Sequence, residues 1–339
     1  MKICVVGGTG NISTSIVKLM LEQGHDVTCF NRGQRGQIPD GAKVIKGDRT
    51  NRKDFERKVR RGKFDAAIDM ICYTREDAQS DLRAFRDVSH FVHCSTVMTY
   101  GLEMDWLPTT EDHPLRATDP YGRGKIEADA VFKAAYFGEN FPVTIIKPST
   151  TLGPQNGPLR QLGCDFSWID RIRKGLPILV LGNGNQALQI LDVDDAALCF
   201  ANIVGKEHCV GQTYNMVRRG YTTWKKYHQT AAKVLGRQVE FVGITLEDLK
   251  NLNNFQIPGY VDWVDSFAYN AYFCSEKLIR DVPEFQPVIP LETTLERIIE
   301  SADRDGRIPS VSRNNWEDQI ITALRTIQTL NITPQSLSI

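Results

Sequence analysis

The chain has 339 residues, of which 41% are hydrophobic and 24% are charged, a composition typical of a globular protein with one large or two modest domains. Its 41 basic and 41 acidic side chains give a formal net charge of zero, which excludes a global field that would attract nucleic acid or an anionic membrane. The N-terminal apolar run is too short for a signal peptide, and no apolar run reaches the length of a membrane span. The eight scattered cysteines lack C-x-x-C spacing and indicate buried thiols in a reducing compartment. We therefore expect a cytoplasmic protein that binds no membrane.

The first half of the chain alternates short apolar runs with helical patterns, which is the signature of βαβ units. The predicted strands span residues 3–6, 26–30, 43–46, 65–70, 91–94 and 143–146, and the predicted helices span 12–23, 52–59 and 121–136. Parallel strands joined by helices predict an α/β fold with a Rossmann doubly wound parallel sheet.

After Pro148 this rhythm ends in a loop rich in glycine and proline at 153–158. We predict a Rossmann domain over residues 1–155, to which later segments could return, and a smaller mixed α/β lobe over 156–339. The lobe is predicted to contain helices at 165–174, 222–235, 246–252 and 291–304 and strands at 178–181, 213–216 and 239–242. A final amphipathic helix at 316–330 has Trp316, Ile320, Ala323, Leu324 and Ile327 on one stripe, which could pack on the core of the monomer or on a partner subunit.

A glycine-rich turn follows the first predicted strand, with the sequence Gly7-Gly8-Thr9-Gly10-Asn11-Ile12-Ser13. Glycines remove Cβ atoms where the backbone must approach a pyrophosphate, and the N-terminus of the next helix offers N–H groups to it. Ser13 replaces the third glycine of the usual spacing, but the strand before the turn and the helix after it favour dinucleotide binding. The predicted cofactor ligands in this turn are Gly7, Gly10, Asn11 and Ile12.

The end of the second predicted strand carries Asn31 and Arg32, where an NAD enzyme would carry an acid for the ribose hydroxyls. An amide does not repel a 2′-phosphate, Arg32 can pair with it or stack on the adenine, and Arg35 lies within reach of the same loop. These residues favour NADP over NAD, although a basic loop in solvent would give the same sequence. Asp48 is a candidate acceptor for the adenine amino group, and the neighbouring Arg49 completes the predicted cofactor set.

Tyr121 and Lys125 stand four residues apart in the sequence Y-G-R-G-K, which on a helix puts the phenol and the ammonium on one face. The positive charge stabilises a phenolate and is expected to lower a tyrosine pKa that is ordinarily about 10. By itself this spacing is common in exposed helices. The glycine turn upstream makes a catalytic pair the favoured interpretation.

In its ordered motifs the chain resembles the extended short-chain dehydrogenases/reductases, the group of NAD(P)-dependent epimerases and dehydratases, over nearly its whole length. Besides the glycine turn and Y-G-R-G-K, the segments 93–101, 147–154 and 191–197 are similar to motifs of that family. The resemblance implies that Tyr121 is a general acid/base and that Lys125 lowers its pKa and holds the nicotinamide ribose. It further implies that Thr96, or alternatively Ser95, hydrogen-bonds the same substrate oxygen.

Pro148 and Ser149 are implied by the same resemblance to line the nicotinamide pocket, and a homodimer is the implied assembly. The small residues that usually follow the fourth strand are replaced here by Ile71, Cys72 and Tyr73, and Ile71 is included in the predicted cofactor pocket.

Other departures from the family motifs bear on the reaction. Val97 and Met98 stand where sugar-nucleotide dehydratases of the family carry an Asp-Glu pair, so dehydration by that mechanism is not expected. The arginines with which epimerases clamp a diphosphate have no counterpart at 188–190. Either other arginines replace them, or the substrate has no diphosphate; the candidates are Arg160, Arg218 and Arg219.

The expected function is that of an NADP-preferring oxidoreductase or epimerase that transfers hydride at a hydroxyl or carbonyl carbon of a sugar-like or sugar-nucleotide small molecule. The alternative is a non-catalytic relative that senses the cofactor or binds RNA, which Ser13 and the basic stretch 49–63 favour and the neutral net charge opposes. The six histidines lack ligand spacing, so no metal site is predicted.

Overall fold

The computed structural model describes residues 1–34, 36–155, 159–163, 165–252, 257, 262–313 and 315–329. The first part of the chain forms β1 (Lys2–Val6), α1 (Asn11–Glu22), β2 (Asp26–Asn31), β3 (Lys43–Lys46), α2 (Arg52–Gly62), β4 (Ala66–Asp69), α3 (Arg75–Ala84), β5 (His90–Cys94), α4 (Pro120–Glu139), β6 (Val143–Pro148) and β7 (Thr150–Leu152). The later part forms α5 (Ser167–Arg173), β8 (Ile178–Leu181), β9 (Ala187–Leu188), β10 (Ile190–Asp192), α6 (Val193–Ile203), β11 (Thr213–Met216), β12 (Thr222–Thr223), α7 (Trp224–Val234), β13 (Phe241–Ile244), α8 (Leu246–Lys250), α9 (Glu276–Asp281), α10 (Leu291–Arg304) and α11 (Trp316–Thr329). None of the helices in the described residues combines the length and the apolar character that a membrane crossing requires.

Within the described residues, seven parallel strands form the main sheet in the order β11-β6-β5-β4-β1-β2-β3. The chain runs outward from β1 through β2 to β3, and then crosses to β4 on the other side of β1. This reversal leaves a crevice at the carboxyl ends of β1 and β4, which is where open α/β sheets bind their ligands. The predicted Rossmann doubly wound sheet is confirmed.

The chain divides into two compact units. The first contains Met1–Asn156, Leu188–Tyr221 and Ala271–Thr294, and the second contains Gly157–Ala187, Thr222–Asn270 and Leu295–Ile339. Strand β11 lies in the part of the sequence predicted as the second lobe, but it pairs with β6 as an edge strand of the main sheet. The domain prediction allowed later segments to return to the first domain, and β11 is such a segment; which strand would return was not predicted, because a short buried strand carries no local sign of the sheet it joins.

Side chains of β1 alternate between two apolar layers of the first unit, as the period of a strand requires. Ile3 and Val5 are fully buried in a cluster that contains residues of α1 and α6. Cys4 and Val6 are equally buried on the other face, in a cluster with residues of α2, α3 and α4. The sheet is therefore covered on both faces, which holds its carboxyl edge in place for the site described below.

Helix α3 was not predicted, and its burial pattern gives the reason. Asp77, Ser80 and Asp81 lie on its buried face, so the helix lacks the apolar stripe by which such a helix is recognised. The Thr74 hydroxyl caps its first turn by accepting from the Asp77 N–H at 3.2 Å.

Helix α11 packs into the core of the second unit through Trp316, Ile320 and Ile321. The buried Glu317 carboxylate accepts hydrogen bonds at 2.6 Å from Arg160 Nη2 and from the Leu179 backbone N–H. The helix therefore packs within the monomer, as one of the two predictions proposed. The predicted last residue, Leu330, and the side chain of Ile327 lie outside the described residues.

His228 of α7 is fully buried among aromatic rings of the second unit, with ring centroids 4.8 Å from Trp168 and 5.2 Å from Tyr227. Neither of its ring nitrogens has a hydrogen-bond partner among the described residues. Burial, with a smaller contribution from the Arg160 charge, lowers the pKa of His228 to about 3. The imidazole is therefore neutral in the folded protein at pH values where it would be charged in the unfolded chain.

We predict that His228→Phe makes the folded protein less sensitive to acid. The unfolded chain takes up a proton at His228 below about pH 6.5, which costs the wild type about 2 kcal/mol of unfolding free energy between pH 7 and pH 5. Urea unfolding of both proteins at the two pH values should show that the variant gains this amount relative to the wild type. Tyr227→Phe, in the same aromatic cluster, is the control and should change stability equally at both pH values. A pH-independent effect of His228→Phe would contradict the prediction.

Candidate active site

A cavity of about 370 Å³ lies in the first unit, where β1, β4, β5 and β6 end. It brings together most of the predicted site residues, namely Gly7, Gly10, Asn11, Ile12, Ile71, Thr96, Tyr121, Lys125, Pro148 and Ser149. The lining does not include Asn31, Arg32, Asp48 or Arg49. Arg35 lies outside the described residues.

The glycine turn is closed by the side chain of Ser13. Its hydroxyl accepts a hydrogen bond from the Gly10 N–H at 2.7 Å and donates one to the Gly7 carbonyl at 2.6 Å. Gly7 has a φ of +87°, which a residue with a Cβ rarely adopts. The serine that replaces the third glycine of the motif therefore stabilises the turn.

Asn31 does not face the cavity. Its side-chain oxygen accepts from the Gly8 N–H at 3.0 Å, and its amide donates to the Thr9 hydroxyl at 2.7 Å. Asn31 therefore stabilises the glycine turn through hydrogen bonds to two of its residues, a role that was not predicted from the sequence. The next residue, Arg32, is exposed.

Asp48 is occupied by local hydrogen bonds, since it accepts from the Thr50 N–H at 2.9 Å and from the Thr50 hydroxyl at 2.8 Å. These bonds lower the pKa of Asp48 below its ordinary value, and Arg32 adds a smaller effect in the same direction.

Arg49 is buried and does not reach the cavity. Its guanidinium lies 2.5 Å from the Asp69 carboxylate, 3.1 Å from Asp81 and 3.6 Å from Asp77. A cation surrounded by three carboxylates inside the protein serves the fold, so the structure does not support the predicted contact of Arg49 with a cofactor. The ion cluster around Arg49 was not predicted, because the sequence shows only that Arg49 follows a strand and not which way its side chain points.

The Arg49 cluster positions the segment that follows β4. Asp69 accepts a hydrogen bond from the Ile71 N–H at 2.6 Å, and Asp77 accepts one from the Tyr73 N–H at 3.0 Å. The branched side chain of Ile71 lies against Gly7, where a Cβ would come within 2.8 Å of it. The divergent segment 71–73 is therefore a fixed wall of the cavity.

The buried ammonium of Lys125 donates to the carbonyl oxygens of Cys72 at 2.8 Å and Cys94 at 2.5 Å. A lysine has three N–H donors, so one donor remains beyond these two bonds. The ammonium also lies 4.7 Å from the ring centroid of Tyr73 and 5.9 Å from that of Tyr121. The carbonyl oxygens thus fix the charge beside the two phenol rings.

The pKa of Tyr121 differs from the sequence-based expectation. Desolvation of the phenol raises this pKa above its ordinary value although the residue as a whole is 45% exposed; Cys94 acts in the same direction, and a hydrogen bond with Thr96 opposes them. Lys125, whose ammonium donates to two backbone carbonyls, is not among the main causes of this shift. The phenol is protonated at neutral pH and can therefore act as a proton donor.

A buried ion pair lies beside Thr96 and separates the roles of the two candidate hydroxyls. Asp129 Oδ2 lies 2.5 Å from Lys147 Nζ and accepts from the Ser95 hydroxyl at 3.0 Å. Ser95 is thereby held in the buried cluster, while Thr96 is the hydroxyl that interacts with Tyr121. Asp129 was missed, although it lies four residues after Lys125 on α4 and so on the same helical face.

The three arginines considered for a diphosphate all have partners. Arg160 is buried against Glu317 in the second unit, and Arg219 makes two hydrogen bonds of 2.8 Å with Glu276. Arg218 donates to the Ile289 carbonyl at 3.2 Å. None of these contacts indicates a prepared diphosphate clamp.

We predict that Gly124→Ala destabilises the protein, because a Cβ at this position of α4 would overlap the Tyr73 carbonyl oxygen. The expected loss of unfolding free energy is about 1–3 kcal/mol, the usual cost of forcing an extra carbon into a packed position. Gly138→Ala on the same helix is the control, since no atom in the described part of the chain lies within 4 Å of its added Cβ. This control should gain about 0.5–1 kcal/mol from helix propensity. Equal effects in urea unfolding would refute the close contact.

Comparison with known proteins identifies the family. The pattern of the NAD dependent epimerase/dehydratase family matches residues 3–216. The 2′-dehydrokanamycin reductase of Streptomyces kanamyceticus is 25% identical over 251 residues, which cover 73% of this chain and 70% of that protein. The chloroplast stem-loop binding protein of 41 kDa b of Arabidopsis thaliana is 28% identical over 252 residues, which cover 69% of this chain and 63% of that protein.

Solved structures share the fold at low sequence identity. A UDP-glucose 4-epimerase of Thermotoga maritima, solved with UDP-glucose, has a TM-score of 0.72 at 17% identity and covers 90% of this chain and 99% of its own. A UDP-glucuronic acid 4-epimerase of Bacillus cereus, solved with UDP-glucuronic acid and NAD, has a TM-score of 0.70 at 16% identity over 90% of this chain and 99% of its own. With its glycine turn, its Thr96, Tyr121 and Lys125 and the family match over 3–216, the chain belongs to the NAD-dependent epimerase/dehydratase family and is an NAD(P)-dependent enzyme.

Proposed function

We propose that the protein is an NADP-preferring oxidoreductase or epimerase that transfers hydride, coupled to a proton, at a hydroxyl or carbonyl carbon of a sugar-like or sugar-nucleotide small molecule. One observation carries the proposal, namely that Thr96, Tyr121 and Lys125 line the same cavity as the glycine turn. The similarity to a 2′-dehydrokanamycin reductase and to UDP-glucose 4-epimerases supports this class of reaction.

The chemistry of the cavity fits a nicotinamide dinucleotide. Gly7 and Gly10 line the cavity beside the N-terminus of α1, which supports a pyrophosphate site there, and the third donor of Lys125 is available for a ribose hydroxyl. The Asn11 side-chain oxygen is buried without a hydrogen-bond partner among the described residues, which suits a ligand donor. When bound, such a cofactor supplies or accepts the hydride.

The protein residues then handle the proton. Tyr121 holds its proton at neutral pH, so it can donate to the oxygen of a substrate carbonyl as that oxygen becomes negative. The Thr96 hydroxyl bonds the same oxygen, and the Lys125 charge stabilises the phenolate that remains. Val97 and Met98 supply no second acid and base, so these residues support reduction or its reverse more than elimination.

We predict that Tyr121→Phe lowers turnover about 100-fold or more, the usual contribution of a positioned acid/base, and leaves the Kd for NADPH within about twofold. Wild type and variant should be incubated with NADPH and a panel of ketoses, oxidised sugars and nucleotide sugars, and nicotinamide absorbance should be followed. Product analysis by NMR would detect epimerisation without net oxidation. Tyr136→Phe on the same helix is the control and should keep full turnover, and full turnover of Tyr121→Phe would refute the assigned role.

The preference for NADP rests on Arg32, which is exposed just beyond β2, on the strand whose end meets the adenosine ribose in this fold. We predict that Arg32→Ala raises the Kd for NADPH about tenfold or more and changes the Kd for NADH by less than about twofold, because only the former carries a 2′-phosphate. Fluorescence titration measures both constants. Arg61→Ala, an exposed arginine of α2, is the control for net charge. Equal weakening of both cofactors would contradict the proposed contact.

RNA binding is the second candidate function, because one relative is named a stem-loop binding protein. The basic stretch 49–63 gives it little support, since many of its cations are paired with carboxylates. Arg52 lies 3.3 Å from Asp77, Lys58 lies 2.7 Å from Asp54, and Arg57 also pairs with Asp54. Catalytic turnover in the Tyr121 experiment would favour the enzyme, and salt-dependent retention of a stem-loop RNA without turnover would favour this alternative.

The homodimer and the cytoplasmic location stay predictions from the resemblance and the composition. On α4 the large apolar side chain of Phe137 is 81% exposed, which is consistent with a contact between subunits. A monomer mass in light scattering would contradict the homodimer.

A further inference from the structure

We propose that Tyr73 is a positioning residue for Lys125, and that its aromatic ring holds the ammonium where it acts on Tyr121 and on the cofactor ribose. The proposal rests on the proposed function, because it assigns Lys125 the catalytic role described above. It adds a residue from the divergent segment 71–73 to the machinery of the site.

The geometry places Lys125 Nζ nearer to Tyr73 than to Tyr121. The ammonium is 4.7 Å from the centroid of the Tyr73 ring and 5.9 Å from that of Tyr121. The two rings are 6.1 Å apart, with an angle of 54° between their planes. A cation within about 6 Å of an aromatic face is attracted by the ring quadrupole, and the attraction is strongest where water is excluded. Lys125 is only 1% exposed, so this condition is met.

The orientation of the Tyr73 ring is fixed by the hydrogen bonds and close contacts of the backbone at residues 72 and 73. Its N–H donates to Asp77 at 3.0 Å, the carbonyl of the preceding Cys72 accepts from Lys125 at 2.8 Å, and its own carbonyl fills the space left by Gly124. The same short segment thus provides both a carbonyl ligand and an aromatic face to one ammonium. A residue with a flexible backbone could not fix a charge in this way.

The ring, and not the hydroxyl, is the functional part. The Tyr73 hydroxyl has no hydrogen-bond partner in the part of the chain that the structure describes, and the side chain is 45% exposed at the cavity. A phenylalanine would keep the face toward Lys125, whereas a leucine would fill similar space without a quadrupole.

The test compares Tyr73→Phe, Tyr73→Leu and wild type with NADPH as the probe and with the substrate found in the panel above. Tyr73→Leu should lower kcat about tenfold, equivalent to about 1.4 kcal/mol, raise the Kd for NADPH about threefold to tenfold, and leave the substrate KM nearly unchanged. Tyr73→Phe should restore both constants to within about twofold of wild type. Tyr221→Leu, which removes a tyrosine that is 62% exposed and packs edge-on against Tyr272, is the control and should change neither constant.

Each outcome decides the proposal. If Tyr73→Leu matches wild type in kcat and Kd, the ring does not position Lys125. If Tyr73→Phe is as impaired as Tyr73→Leu, the hydroxyl is the functional group and the proposal is wrong. A wild type that binds no NADPH would overturn the proposed function itself, whereas NADPH binding together with an inactive Tyr121→Phe and a normal Tyr73→Leu would overturn only this inference. Circular dichroism melting of each variant separates these effects from loss of fold.

Discussion

The site depends on one buried guanidinium, that of Arg49, which lies within 4 Å of the carboxylates of Asp69, Asp77 and Asp81. Burial raises the pKa of Asp81 well above its ordinary value, the Arg49 charge opposes this effect, and the neighbouring Asp69 adds to it. Because Asp69 and Asp77 also hold the backbone N–H groups of segment 71–73, the ion cluster determines where that segment runs. Segment 71–73 also carries the Cys72 carbonyl that accepts a hydrogen bond from Lys125, so the ion cluster helps to position Lys125 as well.

The candidate acid/base residues are positioned by the backbone as much as by neighbouring side chains. Two main-chain carbonyls accept hydrogen bonds from the Lys125 ammonium, and desolvation of the Tyr121 phenol raises its pKa. Behind them, Asp129 with Lys147 holds Ser95 and leaves Thr96 to face Tyr121. The arrangement is that of an acid held ready beside a fixed positive charge, which is consistent with a reaction that begins at a carbonyl.

The glycine turn, the Tyr121 and Lys125 pair and most strands of the main sheet were predictable, because each depends on local spacing and periodicity. The direction in which a side chain points could not be predicted from the sequence. Asn31 and Arg49 both follow the pattern of ligands at strand ends, yet Asn31 bonds the turn behind it and Arg49 turns inward to three acids. Helix α3 was missed for a related reason, since its buried face is polar where it meets Arg49. β11 could be recognised as a strand, but its pairing with β6 could not be predicted, because the two strands are far apart in the sequence.

The contacts of Asn31 determine how substitutions at the end of β2 would affect the glycine turn. The Asn31 amide oxygen accepts a hydrogen bond from the Gly8 N–H, and its amide nitrogen donates one to the Thr9 hydroxyl. The residue at the end of β2 is therefore also part of the glycine turn. A carboxylate at this position, the usual adaptation to an unphosphorylated ribose, would keep the first contact and lose the amide donor of the second. The Asn31 side chain is buried against the turn and Arg32 is exposed, so substitutions of Arg32 would disturb the turn less than substitutions of Asn31.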